Sequence, residues 1–313
     1  MADSSNSLLK TVIERIRGFL DDPDLEAKYS DDYLVRHIIA PSFATIMSRI
    51  NNSTSSPVLK RLSFPIVSTE RYYQLPPCVG EVWRLAILDN NGYLLQEALP
   101  RGMYNVRGSN WQIEGNIISF YPFPDGDYSD LELWYCPSGD YNPIYISSGT
   151  GHTLSVDKKS ITFATSTPPT LGSWDRRPNA YVGQIVRLLP SAVTGVVEER
   201  MIDSWAPSSP GASTWVATLR TPFVYASSGT LPTGGFEIAP EGSEPLYEAM
   251  AAGAALKLSS YRKLSGEHFG MVQAQYRDAM KTLLDHYSNV QMRMPKAWDR
   301  DTVDNQLGQA WRI

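Results

Sequence analysis

The sequence predicts an α+β protein: a helical bundle built from N- and C-terminal helices, carrying a large inserted β barrel or sandwich region. Three observations predict it. Residues 5–50 and 245–291 place apolar side chains every three or four positions, as amphipathic helices do. Residues 57–240 read as strands, turns and Pro/Gly-rich loops. Apolar faces at opposite ends of a chain can cover each other only if the middle leaves and returns.

The expected division follows, and 313 residues are enough for more than one core. Residues 1–56 and 241–294 form the helical bundle, 57–138 an inserted β domain, 139–240 a second β subdomain, and 295–313 an extended C-terminal docking tail.

In the first helix, Leu8, Val12, Ile16 and Phe19 share one face, Ser7 is the cap, and Asp21-Asp22-Pro23 stops it. A second helix starts at Ser30-Asp31-Asp32, where acidic residues favour a helix N-terminus. Its apolar face is Leu34, Ile38, Ile39, Phe43, Ile46 and Ile50; Pro41 inside it predicts a kink or a split. The polar run Asn51–Pro57 closes the segment as a turn cluster.

Strands follow at 72–75 and 79–88, with a turn at Asp89–Gly92 and a return over 93–97. Trp111–Ile113 and Ile117–Tyr121 flank a Glu114-Gly115-Asn116 hairpin turn, and Leu131–Tyr135 follows a turn at Pro124–Asp127. In the second β region, Thr153–Val156 and Ile161–Ala164 flank Asp157-Lys158-Lys159, and longer strands are expected at Tyr181–Leu189, Val196–Trp205 and Trp215–Leu219. Its Ser/Pro/Gly loops read as an exposed subdomain tolerant of change.

Helices resume at Pro245, with Leu246, Met250, Ala254, Leu258 and Tyr261 on one face. The run Ala251-Ala252-Gly253-Ala254-Ala255 lets a second helix approach closely. After a break at Ser265-Gly266, the last helix carries Phe269, Val272, Tyr276, Leu283, Tyr287 and Val290 on one face. Ala251, Ala254, Tyr276 and Leu283 are the expected helix-packing residues. Residues 295–313 are too polar to fold alone. Their apolar anchors, Trp298, Trp311 and Ile313, either fold back on their own chain or dock on another subunit or protein.

Composition excludes several functions. The net charge of −5, with no Lys/Arg run, argues against a protein that grips phosphates. Two cysteines, Cys78 and Cys136, make neither a disulfide framework nor a zinc site and are expected as buried thiols. The first ten residues lack a basic, apolar leader, and no window approaches the ~18 apolar residues of a membrane span. No membrane association is expected, and synthesis is expected in the cytoplasm.

No catalytic residue, metal site or cofactor is expected. His37, His152, His268 and His286 lack ligand spacing. Ser147–His152 has the glycines of a phosphate loop but not its Gly-Lys-Ser/Thr ending. Glu198 and Glu199 are strand neighbours pointing to opposite faces, and Asp125 and Asp127 flank a turn glycine. Arg176-Arg177 beside Trp174 is a candidate anionic contact whose simpler reading is a solvated loop.

The order of these elements resembles the head-to-tail connector (adaptor) proteins of tailed bacteriophages, including the adaptor ring called tail tubular protein A or gatekeeper. Ser30-Asp31-Asp32-Tyr33-Leu34 followed by Ile46 resembles that family's opening helix. Tyr73-Gln74-Leu75-Pro76 with Val82 to Leu88 resembles its entry into a β insertion. Ile117–Pro122 with Leu131–Tyr135 resembles the end of that insertion, and the last two helices with Tyr276 and Leu283 resemble its closing hairpin. Residues 139–240 depart from the compact adaptors; Tyr181–Gln184, Arg200–Trp205 and Thr221-Pro222-Phe223 resemble β decoration modules of phage structural proteins.

The resemblance implies a non-enzymatic virion protein at the head–tail junction, about twelve copies forming a closed ring. The portal protein and a tail nozzle or tail-tube protein are the implied partners. Genome DNA passes through the lumen without sequence-specific binding, which suits an acidic chain. Trp298, Trp311 and Ile313 are then the candidate contacts to the portal or a neighbouring subunit. The alternative is a receptor- or carbohydrate-binding tail protein, suggested by the Trp and Tyr residues of the β region.

Overall fold

The computed structural model describes residues 7–21, 28–53, 60–65, 70–89, 94–100, 110–121, 128–148, 151–189, 196–231, 235–262 and 265–293. The expected turns at Asn90–Gly92 and Pro124–Asp127, the acidic pair Asp125/Asp127, Val290's side chain and the tail residues Trp298, Trp311 and Ile313 lie outside the described residues or side chains. The fold is α+β, 35% helix and 33% strand, with sheets that are almost wholly antiparallel.

Helix α1 (Leu8–Leu20) is capped by Ser7, whose side chain accepts the Lys10 N–H, and ends at Asp21 with φ 41°. Its buried face is Leu9, Val12, Ile13, Ile16 and Leu20; Val12 and Ile16 of the expected stripe are buried, whereas Leu8 and Phe19 lie at its margin. The helix packs against both a later helix and a strand, so it buries a wider arc than a single-sided amphipathic helix.

Helix α2 (Asp31–Tyr33) runs through a π-helical segment (Leu34–Ile39) into α3 (Ala40–Ser53). The helix is not split at Pro41. The Pro41 ring would crowd the carbonyl four residues back. The turn widens instead, and the Ala40 N–H bonds the Val35 carbonyl five residues back. Ser42 Oγ donates to the Ile38 carbonyl at 2.7 Å. Asn51–Ser53 is helical, which corrects the start of the expected turn cluster; its remainder, residues 54–57, lies outside the described residues.

Helices α4 (Glu244–Arg262) and α5 (Gly266–Arg293) close the chain. Ser265 caps α5, its Oγ accepting the His268 N–H. Helix α4 packs against α1, α3 and α5, so the two ends of the chain share one apolar core. Leu246, Met250 and Leu258 face it, whereas Tyr261 is exposed, correcting its assignment to the buried face.

The first β region has the strand order β1-β7-β3-β4-β5-β6-β2. These strands are β1 (Lys60–Pro65), β2 (Tyr72–Gln74), β3 (Val79–Asp89), β4 (Leu94–Pro100), β5 (Asn110–Glu114), β6 (Ile117–Tyr121) and β7 (Tyr128–Pro137). One parallel pair, β4 with β5, joins two antiparallel blocks. Gly115, at φ 64°, supplies the left-handed residue of the β5–β6 turn.

The second sheet runs β14-β9-β10-β13-β12-β11-β15-β8. It comprises β8 (Ile144–Ile146), β9 (Thr153–Leu154), β10 (Ser160–Ala164), β11 (Gln184–Leu188), β12 (Glu198–Pro207), β13 (Thr214–Leu219), β14 (Gly229–Thr230) and β15 (Phe236–Pro240). Trp205, Phe163, Tyr181 and Phe236 fill its core. Much of the chain's aromatic wealth is therefore packing, not partner-facing surface. Region 139–240 is also less detached than expected: Tyr141, Tyr145, Leu171 and Leu189 pack into the helical core.

A buried ion pair ties the two parts. Glu237 of β15 is fully buried and accepts from Ser7 Oγ at 2.7 Å and from the Leu8 and Leu9 N–H groups at 2.9 and 3.3 Å. It also receives Arg187 Nη1. Burial opposes the Arg187 charge, but Glu237 and Glu199 outweigh it and hold the guanidinium pKa above its ordinary value. A carboxylate here satisfies N-terminal helix donors and meets the positive end of the helix dipole.

His152 sits within the second core, its ring 5.0 Å from Phe236 and 5.7 Å from Phe163. Its Nδ1 accepts the Ala164 N–H at 3.2 Å, which requires the neutral ring. Burial lowers its pKa below the usual 6.5. The unfolded chain therefore binds the proton first as pH falls through about 6.5, and stability present above that pH declines until the folded-state imidazole also titrates. Urea midpoints are expected to fall between about pH 7 and pH 5.5, and to fall less in His152→Gln. Identical pH slopes in the two proteins would remove His152 from the account.

Candidate interaction surfaces

Several of the described residues considered for chemistry are held in structural contacts. Glu198 is buried and Glu199 half exposed, on opposite faces of β12. Glu199 pairs with Arg187. Arg177 is chelated by Asp175 and reaches Asp140 at 3.1 Å, while Arg176 donates to the Thr165 carbonyl. His37 lies against Tyr33, the rings tilted by 41° with 4.8 Å between their centres. No cluster of metal-binding side chains occurs among the described residues. Nor is any helix there long and apolar enough to cross a membrane.

Cys78 and Cys136 are buried free thiols. Burial raises both pKa values, that of Cys136 to about 11 with help from Glu81. Neither is poised as a nucleophile. Cys78 borders a cavity of about 50 Å³ where helices and both sheets meet, a volume suited to water and too small for a substrate.

Ala251, Ala254, Tyr276 and Leu283 are all buried in the helical core. A Cβ added at Gly253 would stand 3.2 Å from Tyr276 Cε2, so the small residues of α4 seat the Tyr276 ring. Beside that contact, α3 and α5 border a surface groove of about 310 Å³. Arg49, Tyr276, Arg277, Met280, Lys281, Leu284 and Asp285 line it, and the Arg49 guanidinium lies 5.2 Å from the Tyr276 ring centre.

Exposed apolar side chains gather at separate places. Tyr261 and Met271 flank the α4–α5 turn, 58% and 59% exposed. Tyr72 and Ile117 lie on the paired strands β2 and β6, and Trp83 stands at a bulge in β3. The third group is the most strongly built. Val156, Val224 and Tyr225 are 90%, 62% and 67% exposed. Behind them the Glu198 carboxylate accepts the successive N–H groups of Val224, Tyr225 and Ala226 at 2.7, 2.9 and 2.9 Å. Arg200 donates to Glu198 and to the Pro222 carbonyl, and Lys158 Nζ to the Val224 carbonyl. Phe223 is buried beneath. The loop backbone is held from both sides while its side chains face water.

Sequence reasoning missed this loop. Its only local signal is the unbroken apolar run after Pro222; the carboxylate that organises it lies on another strand. No known protein family matches the chain, and no characterised protein matches it either.

Proposed function

We propose that the protein is a non-catalytic assembly subunit: the adaptor ring that joins a portal to a tail in a tailed bacteriophage and forms part of the DNA conduit. The observation that carries this reading is the presence of separate exposed apolar groups on firmly held elements. A subunit in a closed ring contacts two neighbours through different surfaces and needs a further surface for each axial partner. Scattered apolar residues are ordinary on a monomer, but rigid apolar loops facing water are interface features. The core shared by the chain ends supports a helical bundle frame (1–56 with 241–294) bearing inserted β structure (57–138 as a barrel or sandwich, 139–240 as a decoration). In this reading Trp298, Trp311 and Ile313 attach the ring to the portal or to a neighbouring subunit, a tail nozzle or tail-tube protein binds the far side, and DNA passes without specific contacts.

Negative-stain microscopy of the purified chain, alone and with portal, tests this. Rings or portal-bound sockets are expected, and removal of 295–313 is expected to abolish portal joining in a folded protein. Isolated trimers with no portal affinity would overturn the adaptor reading. They would favour a receptor- or carbohydrate-binding tail protein, the second reading that the displayed Tyr225 supports.

A further inference from the structure

We infer that the β14–β9 edge of the second sheet opens when His152 takes up a proton, while the inner strands of that sheet stay closed. The first argument is the bond that the ring makes. The Ser155 N–H donates to the Ser160 carbonyl, and Thr153 of β9 pairs with Thr162 of β10. Backbone groups alternate sides along a strand, so the Ala164 N–H points to the same side as that carbonyl. Strand β9 has ended there, and the imidazole takes its place: His152 Nδ1 accepts the Ala164 N–H at 3.2 Å. A protonated ring carries N–H at both nitrogens and cannot accept. Proton uptake therefore sets donor against donor at the end of the ladder.

The second argument is the company the ring keeps. It is 2% exposed and lies among Phe236, Phe163 and Trp174, at 5.0, 5.7 and 6.1 Å between ring centres. The charged groups on the surrounding elements are engaged elsewhere. Glu237, beside Phe236, is held by Ser7 and Arg187. Asp175, beside Trp174, pairs with Arg177, and Arg176 donates to the Thr165 carbonyl. In the turn between β9 and β10, Asp157 accepts from Ser155 and from the Lys159 N–H, Lys158 reaches the Val224 carbonyl, and the Lys159 side chain is exposed. Residues 229–231 carry no charge. Burial alone accounts for the lowered pKa of the ring. A charged imidazole in this place loses its hydration and gains no carboxylate.

The third argument is locality. Strands β9 and β14 are two residues each, and β14 is the last strand of its sheet, paired with β9. The Leu231 N–H donates to the His152 carbonyl at 3.0 Å, so both short strands are tied to the residue that titrates. Strands β13, β12 and β11 are five to ten residues long, each paired on both sides. Native proteins open first at such short edges and last at central strands. The open edge takes the proton near pH 6.5, before the closed one, so each pH unit below that favours opening by up to about tenfold until the closed ring also titrates. The inference does not depend on the adaptor reading.

Amide hydrogen exchange of the full-length protein tests it, resolved by peptide mass spectrometry and corrected for the intrinsic pH dependence of exchange. Between pH 7 and pH 5.5, protection of residues 151–155 and 229–231 is expected to fall several-fold, with a ceiling of about eightfold. Protection of β11 and β12 is expected to hold. His152→Gln, whose side-chain carbonyl can still accept the Ala164 N–H, is expected to flatten the response of the edge. A flat wild-type edge, a loss shared equally by β11 and β12, or an equal loss in His152→Gln would each overturn the inference. If the glutamine variant melts early at pH 7, the His152 ring is titrated by NMR in the wild-type protein instead. Edge protection lost outside the pH range in which that ring titrates would then overturn it. None of these readouts involves the portal, so failure here leaves the adaptor test standing, and the converse holds.

Discussion

Glu237→Ala is expected to destabilise the protein by about 3–5 kcal/mol, the largest effect of any single substitution considered. The change removes the buried partner of Arg187 and leaves that guanidinium with Glu199, which is half exposed. It also strands the Leu8 and Leu9 N–H groups at the start of α1. A buried guanidinium that loses its buried counter-charge and helix donors that lose their acceptor both act in the same direction. Glu237→Gln keeps the shape and one acceptor, so a smaller loss of about 1–3 kcal/mol is expected. Urea denaturation of the two variants measures the difference. Equal losses below about 1 kcal/mol would show that α1 is held by its apolar face alone.

Leu283→Ala and Tyr276→Ala are each expected to cost about 2–5 kcal/mol. Leu283 is fully buried among the helices, and the Tyr276 ring is seated on the small residues around Gly253. Gln275→Ala, on the exposed face of α5, is expected to cost less than about 0.5 kcal/mol. Equal thermal shifts in all three would mean that α5 presents a different face to the core.

The α5 face was legible at Val272, Tyr276 and Leu283, which repeat near the helical period and are buried, with Gln275, Arg277, Asp278 and Lys281 exposed on the other side. Helix α1 was legible in extent but not in orientation, since contact on two sides buries Leu9, Ile13 and Leu20 beyond the apparent stripe. Strands β3, β5, β6, β7 and β13 carry enough branched and aromatic residues to announce themselves. Strands β1, β8, β14 and β15 do not: they are two to six residues long, and β15 buries a glutamate at the position that alternation between Phe236 and Ile238 would turn toward water. Glu237 in particular reads as surface, because the Ser7 hydroxyl that justifies its burial lies 230 residues away. The Glu198 loop was hidden for the same reason. Local pattern reports what a residue's neighbours in sequence want, and both carboxylates answer to distant backbone.

The bond between Ser7 and Glu237 sets a timetable for synthesis. A ribosome adding roughly 5–20 residues each second needs on the order of 12–46 s to travel from one partner to the other. Throughout that interval the first helix has left the exit tunnel with neither its carboxylate cap nor the α4 surface it packs against. Its apolar residues are then open to chaperones, or to the nascent chains of neighbouring ribosomes on the same message. Slow codons placed before position 237 would lengthen that exposure, and so would slow codons after position 262 until α4 has itself cleared the tunnel.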